Sequence, residues 1–192
     1  MKPDITKIIS FFETEYPLNR EGLKELLDLF RTKELKKNTL ILAANTEENQ
    51  LRFLNKGGIR EFYASANKET NINFYTKPQF ITDLPSFIND TKTKKYQETL
   101  TPVELLVIDK NSFRNILKKY ECGKSFIDLS FRKLLKQKEL FEFNRITKSS
   151  EELYNELLIY KPNWLQTIPQ YHIASYLNIT PETLSRIRKR IS

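Results

Sequence analysis

The segment IPQYHIASYLNITPETLSRIRKRI, residues 168–191, is the most informative part of this sequence. Its apolar residues recur at helical spacing on both sides of Asn178, a residue type that tolerates the left-handed backbone of a tight turn. Thr180 and Pro181 are typical of a helix start, because Thr caps the first turn and Pro suits the first helical position. Ala174 is small where two helices would cross. The pattern predicts a helix-turn-helix.

The second helix of this pair carries a polar stripe. Glu182, Ser185, Arg186 and Lys189 follow one another at i, i+3, i+4 and i+7, so they share one helix face. A carboxylate can accept from the amino group of cytosine, and a guanidinium can pair with the two major-groove acceptors of guanine. We therefore predict that Glu182 and Arg186 contact DNA bases. The alternative is a solvated ion pair between them on an exposed helix.

Further polar and basic side chains surround the stripe and are placed for phosphate oxygens. The predicted DNA-backbone contacts are Thr180, Thr183, Ser185, Arg188, Lys189 and Arg190. The chain ends at Ser192, directly after this helix, so little or no β-hairpin wing is expected beyond it.

The charge distribution agrees with a nucleic-acid partner. The chain has 32 Lys and Arg against 24 Asp and Glu, a net charge of +8. The first 109 residues contain sixteen basic and sixteen acidic side chains, so the whole excess lies in the C-terminal half with the helix pair. A positive field of this kind favours double-stranded DNA, although basic proteins with other partners are common.

Composition excludes several other classes of protein. With 192 residues and 39% apolar residues, the chain can fold into one large or two small domains. No apolar run is long enough to cross a bilayer, and the acidic N-terminus does not resemble a secretory signal, so a cytoplasmic location is expected. Cys122 is the only cysteine and His172 the only histidine, so we predict no disulfide, no metal site and no cofactor. We expect His172 at a helix cap or on the surface.

The hydrophobic periodicity of the region before the helix pair changes twice along the chain. Residues 4–30 show helical periodicity, and short segments with strand character follow at 40–43, 50–56, 59–64, 70–75, 96–101 and 104–108. Gly57-Gly58 and Asn67-Lys68 are typical of hairpin turns between such strands. Several short strands at close spacing predict a small antiparallel barrel or roll.

A long helix over residues 125–144 is predicted next, and it is apolar on two sides. One side has the four-three spacing of a coiled-coil seam and predicts a dimer interface, formed by Ile127, Phe131, Leu134, Lys138 and Phe141. The other side, with Phe126, Leu129, Leu140 and Phe143, is expected to pack on the roll. The alternative is a helix buried within one monomer. Residues 145–150 are polar and suggest a hinge.

In this order of elements, the chain resembles the Crp/Fnr family of bacterial transcription regulators over nearly its whole length. Residues 53–60 (FLNKGGIR) and 104–108 (ELLVI) resemble two strand segments of the family's β-roll. Residues 179–186 (ITPETLSR) are the most specific match, to the short regulators typical of Bacteroidetes. The resemblance implies a homodimer that reads a palindromic site, with RNA polymerase as a further partner.

The resemblance weakens at the effector site of the roll. Members that bind cyclic nucleotides have a Gly-Glu turn and an Arg-Ser/Thr-Ala stretch, whereas this chain has Thr82-Asp83 and residues 93–97, TKKYQ. Asp83, Lys94 and Lys95 remain candidate residues of an effector pocket, but the arginine fork is missing. We therefore expect the effector not to be a cyclic nucleotide.

The predicted fold class is α+β, in three parts: a β-roll sensor domain with flanking helices at 1–120, a long dimerisation helix at 121–145, and an all-α helix-turn-helix domain at 146–192. The predicted function is sequence-specific DNA binding in transcription regulation. The alternative is a ligand-sensing roll whose helix-turn-helix binds a protein partner. No phosphate-binding loop, nucleophile elbow or metal-ligand cluster is present in the sequence, so no enzymatic activity is expected.

Overall fold

The computed structural model of the protein describes residues 5–15, 20–121 and 123–191, without the side chains of 13–15, 20 and 123–126. Cys122 lies outside the described residues. The strands are β1 (Arg31–Leu35), β2 (Leu40–Leu42), β3 (Gln50–Lys56), β4 (Ile59–Ser65), β5 (Lys68–Tyr75), β6 (Gln79–Phe80), β7 (Tyr96–Thr99) and β8 (Val103–Asp109). The helices are α1 (Thr6–Glu15), α2 (Arg20–Leu29), α3 (Leu84–Asn89), α4 (Lys110–Lys119), α5 (Gly123–Thr147), α6 (Ser150–Tyr160), α7 (Pro162–Thr167), α8 (Gln170–Leu177) and α9 (Pro181–Ile191).

The strands form two four-stranded antiparallel sheets that together make the predicted β-roll. Sheet one has the order β1-β8-β3-β6, and sheet two has the order β2-β7-β4-β5. An apolar cluster with Leu54, Ile59 and Leu105 is buried within the roll. A second cluster, which includes Phe12 and Phe113, packs α1, α2 and α4 against sheet one. The predicted α+β class, with its antiparallel roll and C-terminal helices, is confirmed.

The structure corrects one of the two predicted hairpins. β3 belongs to sheet one and β4 to sheet two, so Gly57-Gly58 forms a corner between the sheets and not a hairpin turn. Gly57 has φ +103°, and a Cβ added there would lie 2.4 Å from the carbonyl oxygen of Pro102. Both facts require glycine. The second hairpin is confirmed, since β4 pairs with β5 and Ser65 lies opposite Lys68.

Three short elements were not predicted. β1 is exposed along most of its length, so it lacks the alternation that marks a half-buried strand. β6 has only two residues. α3 is six residues long with a Pro in its first turn, so it is too short to show helical periodicity.

The long helix α5 is present, but one of its apolar sides is not covered as expected. Leu129, Leu140 and Phe143 are 37%, 58% and 57% exposed. The prediction that this edge packs on the roll is therefore wrong for these three residues, and the Phe126 side chain lies outside the described part of the chain. Along the predicted seam, Ile127 packs against the cluster of α1, α2 and α4.

The connection from α5 to the C-terminal helices is shorter than the predicted hinge. Arg145 still belongs to α5, and only residues 148–149 separate α5 from α6. Ser149 starts α6 with a capping box, in which its side chain and that of Glu152 satisfy each other's backbone N–H groups. Among the described helices, none is both long and apolar enough to cross a bilayer.

Candidate nucleic-acid interface

The C-terminal helix pair has the predicted geometry. α8 ends at Asn178, whose φ of 58° and ψ of 37° are left-handed, and the N–H of Ile179 bonds to the carbonyl of Ala174 at 3.0 Å. Thr180 then starts α9, because its hydroxyl oxygen accepts from the backbone N–H of Thr183 at 3.2 Å. These bonds satisfy backbone groups at the end of one helix and the start of the next. The turn angle between the helices is thus fixed locally.

One small apolar core lies beneath this turn. Ala174 is fully buried at the crossing, and Leu177, Leu184 and Ile187 are buried around it. Because Leu184 and Ile187 occupy the inner face of α9, the residues between them must face outward. Burial of one face therefore determines which side chains α9 presents.

The outward face of α9 carries the predicted base-contacting residues. Glu182 and Arg186 are both exposed, as are Ser185 and Lys189. Hydrogen bonds from its own backbone N–H and from the Thr180 hydroxyl, with a smaller contribution from Arg186, lower the pKa of Glu182. The carboxylate is therefore ionised at neutral pH and only accepts hydrogen bonds, as pairing with a cytosine amino group requires.

Arg186 lines an open, basic concavity. Its Nη2 donates to the Thr183 hydroxyl at 3.3 Å, which holds the guanidinium along the helix. Thr183, Arg186, Lys189 and Arg190 line a concavity of about 410 Å³. Three cations around one concave surface suit an anion such as a phosphate or the acceptor edge of a guanine.

The residues predicted to contact the DNA backbone differ in their surroundings within the chain. Ser185, Arg188 and Lys189 are exposed on α9. Arg190 is exposed as well, and it forms an ion pair of 2.7 Å with Glu151 at the start of α6. Because both partners are well exposed, this pair contributes at most about 1 kcal/mol and can exchange for a phosphate. The hydroxyls of Thr180 and Thr183 lie 3.2 Å apart in the helix cap.

Of the three candidate effector residues, the structure brings two together. Asp83 is buried, accepts from the Thr93 hydroxyl at 2.6 Å, and lies 3.1 Å from Lys95 Nζ. Lys95 also lies 3.4 Å from a carboxylate oxygen of Glu61. Lys94, the neighbour of Lys95 on the opposite side of the chain, is exposed and does not share this group.

Asp83 and Lys95 belong to a larger buried polar network that the sequence did not indicate. Glu48 and Arg52 form a buried ion pair, and Arg52 donates to Gln97 Oε1 at 3.2 Å. Gln97 is fully buried and donates to Glu61 at 2.8 Å. One signal could have indicated it: Arg52 shares the inward strand face with Leu54, where an unpaired charge would not be tolerated.

The network perturbs its own titratable groups. Burial raises the pKa of Glu48 against the opposing pull of Arg52. Burial alone would lower the pKa of Lys95, but Glu61 and Asp83 together raise it. Burial, and next the charge of Glu61, raise the pKa of Tyr75 well above its usual value. At neutral pH Lys95 is therefore held charged between two acidic side chains of the roll.

His172 does not lie on the surface, and that expectation is wrong. Its side chain is buried between α8 and β5, with Nδ1 3.3 Å from Asn71 Nδ2. Burial, with Arg60 as the next cause, lowers its pKa to about 4. The imidazole is thus neutral at physiological pH and belongs to a contact between the roll and the helix pair.

Comparison with known proteins identifies solved structures with a similar architecture. Residues 32–120 match the family model of the cyclic nucleotide-binding domain, from β1 to the end of α4. A search of curated proteins gave no significant match. Among solved structures, the c-di-GMP-responsive global regulator CLP of Xanthomonas campestris superposes with a TM-score of 0.68 at 13% identity, covering 90% of this chain and 91% of that one.

Two further structures cover the chain to a similar extent. The catabolite activator protein of Thermus thermophilus has a TM-score of 0.59 at 15% identity, covering 92% of this chain and 84% of that one. A protein from Eubacterium rectale described as a transcriptional regulator of the Crp/Fnr family has a TM-score of 0.68 at 17% identity, covering 94% and 85%. The chain has the Crp/Fnr fold. The fold that the resemblance implied is therefore confirmed, and it accounts for the roll, the long helix and the helix pair together.

Proposed function

We propose that the chain is a sequence-specific DNA-binding transcription regulator that acts as a homodimer on a palindromic site. One observation carries the proposal: α9 buries Leu184 and Ile187 in a core of its own domain while it exposes Glu182, Arg186 and Lys189 together. In a helix-turn-helix, this face of the second helix enters the major groove. Glu182 and Arg186 would read base edges, and the basic residues nearby would bind phosphates.

The solved structures with the same fold support this proposal. The neighbours include a catabolite activator protein, a global regulator of gene expression and a transcriptional regulator of the Crp/Fnr family. By analogy, the roll senses an effector, the helix pair reads DNA, and RNA polymerase is a further partner. We also propose a function without enzymatic activity, since the sequence has no catalytic motif.

The effector of the roll is proposed to be something other than a cyclic nucleotide. Two structural neighbours were solved with cAMP or a cAMP analogue bound. In this chain the candidate residues Asp83 and Lys95 are already paired with each other, and Lys95 also faces Glu61. A cyclic phosphate would have to displace Lys95 from these two acids and would meet their negative charges.

Isothermal titration calorimetry tests the effector proposal directly. We expect no heat of binding on addition of cyclic AMP up to millimolar concentration. Micromolar binding would contradict the proposal, and loss of that binding in Lys95→Met would identify the interior of the roll as the site.

Selection from a random duplex pool tests the DNA-binding proposal. At about 0.15 M salt, nonspecific attraction to a basic protein is weakened, so enrichment reports base recognition. We expect an enriched palindrome with two half-sites one helical turn, about 34–36 Å, or a multiple of it apart. Recovery of an unenriched pool would contradict the proposal and would favour the alternative, in which the helix pair binds a protein.

A further inference from the structure

The helix pair is attached to its own roll by a contact separate from the short connection after α5. β5 lies at the edge of sheet two, where it pairs with β4 alone. An open strand edge exposes unpaired backbone groups, which proteins usually cover. Here α8 packs along that edge. The first helix of the helix-turn-helix thus covers the open edge of sheet two.

A single hydroxyl group of α8 forms hydrogen bonds that a neighbouring strand would otherwise make with β5. Ser175 Oγ accepts from the backbone N–H of Asn71 at 3.1 Å and donates to the carbonyl of Glu69 at 3.0 Å. Both backbone groups point out of the sheet edge, so one side chain of α8 satisfies a donor and an acceptor of β5. Asn71 also donates through Nδ2 to the carbonyl of His172 at 3.3 Å. Beside the hairpin turn, Lys68 Nζ lies 2.6 Å from Asn178 Oδ1, in the turn before α9.

An aromatic side chain of the roll completes the contact. Phe74 of β5 is 2% exposed, and it is buried in the apolar cluster of the C-terminal helices. Its ring lies edge-on to Trp164, with centroids 5.0 Å apart, and 5.9 Å from the ring of Tyr176. Edge-on aromatic pairs of this kind add about 0.5–1.5 kcal/mol to the burial of their surface. The roll therefore contributes a core residue to the DNA-binding domain.

The adjacent residue of the same strand faces the other way. Tyr75 donates to Glu61 Oε2 at 3.1 Å and so joins the polar network inside the roll. Neighbouring side chains of a strand point to opposite faces, so Phe74 and Tyr75 contact the helix pair and the interior of the roll from one short piece of backbone. Any shift of β5 caused from inside the roll must also move Phe74.

α8 also contacts the long helix. Arg145 of α5 donates to the carbonyl of Tyr176, and its guanidinium lies 5.0 Å from the centre of the Phe141 ring. Phe141 itself contacts the Tyr176 ring at 6.3 Å. α8 thus contacts β5 of the roll and also the long helix α5.

We propose that Asn71 and Phe74 of β5 are positioning residues for DNA recognition: by docking on α8 they set the angle of α9 relative to α5, and hence the half-site spacing that a dimer accepts. The predicted effect on half-site spacing rests on the proposed function, whereas the docking of β5 on α8 does not. It makes the β4–β5 hairpin the route by which the interior of the roll controls the helix pair.

Distance measurements between spin labels test the docking without DNA. The labels are placed at the exposed positions Lys94 of the roll and Asn163 of α7, with Cys122 replaced by Ser in every variant. Phe74→Ala removes the aromatic contact, and the double variant Asn71→Ala/Ser175→Ala removes the hydrogen bonds while leaving the helix pair's own core intact. Tyr63→Ala, an exposed aromatic on the same hairpin, is the matched control.

We expect one narrow distance distribution in the wild type and in Tyr63→Ala. At least one of the two docking variants should give a broadened distribution while its circular dichroism spectrum stays the same as that of the wild type. Distributions of wild-type width in both docking variants would overturn the proposal, as would equal broadening in the control. Because Phe74→Ala removes a core residue, the double variant decides the outcome if Phe74→Ala fails to fold.

A second measurement tests the consequence for recognition. Duplexes with the selected half-sites and spacers altered by one or two base pairs are bound by each variant. We expect the wild type to bind one spacer at least ten-fold more tightly than the others, and the docking variants to lose this preference while keeping the same half-site bases. An unchanged spacer preference would overturn the inference, whereas failure of the wild type to select any site would remove the proposed function and leave the distance measurement valid.

Discussion

At the scale of single residues, the position of Gly57 admits no side chain. This glycine turns the chain from one sheet to the other with φ +103°, and the space where a Cβ would lie is filled by Pro102 and Val103. We expect Gly57→Ala to lower the free energy of unfolding by about 2–4 kcal/mol, since backbone strain and overlap both add to the cost. Urea denaturation measures this loss.

Gly58 provides the matched control for that substitution. A Cβ at Gly58 would lie 3.8 Å from Thr101 Oγ1, an ordinary van der Waals distance, and the φ of Gly58 is not in the left-handed region. We expect Gly58→Ala to change the free energy of unfolding by less than about 1 kcal/mol. Equal losses in the two variants would show that the corner does not depend on the geometry of Gly57.

His172 predicts a dependence of stability on pH. Burial, and next the charge of Arg60, lower its pKa to about 4 in the folded protein, whereas an unfolded chain protonates histidine near 6.5. The unfolded state therefore binds the additional proton first, and stability that is fully present above pH 6.5 is lost as the pH falls towards 4. The loss from this residue is at most about 3 kcal/mol.

His172→Gln isolates this effect, because glutamine keeps an acceptor for Asn71 and cannot titrate. We expect the free energy of unfolding of the variant to fall less steeply than that of the wild type between pH 6.5 and 4.5, with parallel curves between pH 7 and 8. Thermal or urea unfolding at each pH measures both curves. Parallel curves over the lower range as well would contradict the buried, neutral histidine.

At the scale of elements, α5 presents two apolar edges that differ in their exposure among the described side chains. Ile127 and Phe141, on the predicted seam, contact the N-terminal helices and Tyr176. The edge with Leu140 and Phe143 is more than half exposed. An exposed apolar edge of this kind on a long helix is typical of an association surface. We therefore propose this edge as an alternative to the predicted seam for the dimer contact.

Two charge substitutions distinguish the edges. If the dimer forms through the exposed edge, Leu140→Glu yields a folded monomer, because a carboxylate in an apolar interface lacks a partner. Phe131→Glu, on the predicted seam, should then mainly lower stability. Light scattering and urea unfolding measure the two effects. A folded monomer in Phe131→Glu together with an intact dimer in Leu140→Glu would restore the original seam.

The elements differ in how far the sequence could predict them. α8 and α9 were predicted from Asn178, Thr180 and Pro181, since caps and turns act over a few neighbouring residues and leave a local signal. Gly57-Gly58 indicated a turn, but the sequence did not show whether that turn joins two paired strands or two sheets. The distinction depends on strand pairing, which involves residues far apart in the chain. The same holds for the candidate site: the stripe on α9 is local, whereas the network around Arg52 joins residues 48, 61, 83 and 97 and has no local pattern.

At the scale of the whole molecule, the roll and the helix pair share side chains, so they do not behave as independent domains. Phe74 of the roll lies in the core of the C-terminal helices, and His172 of α8 lies against β5. A signal inside the roll therefore has a physical connection to the face of α9 that we propose reads DNA. We propose that the exposed stripe of α9 reads DNA bases, and any regulation of DNA binding by the roll depends on that stripe.

The most direct test of this claim compares the base preference of the wild type with that of Arg186→Ala on the selected palindrome and on single-base variants of it. We expect Arg186→Ala to lose about 1–3 kcal/mol of discrimination at one guanine of each half-site, with discrimination at the other positions retained. Lys189→Ala should instead weaken binding to all sequences alike and reduce the dependence of affinity on salt by about one phosphate contact. An unchanged base preference in Arg186→Ala would contradict the account.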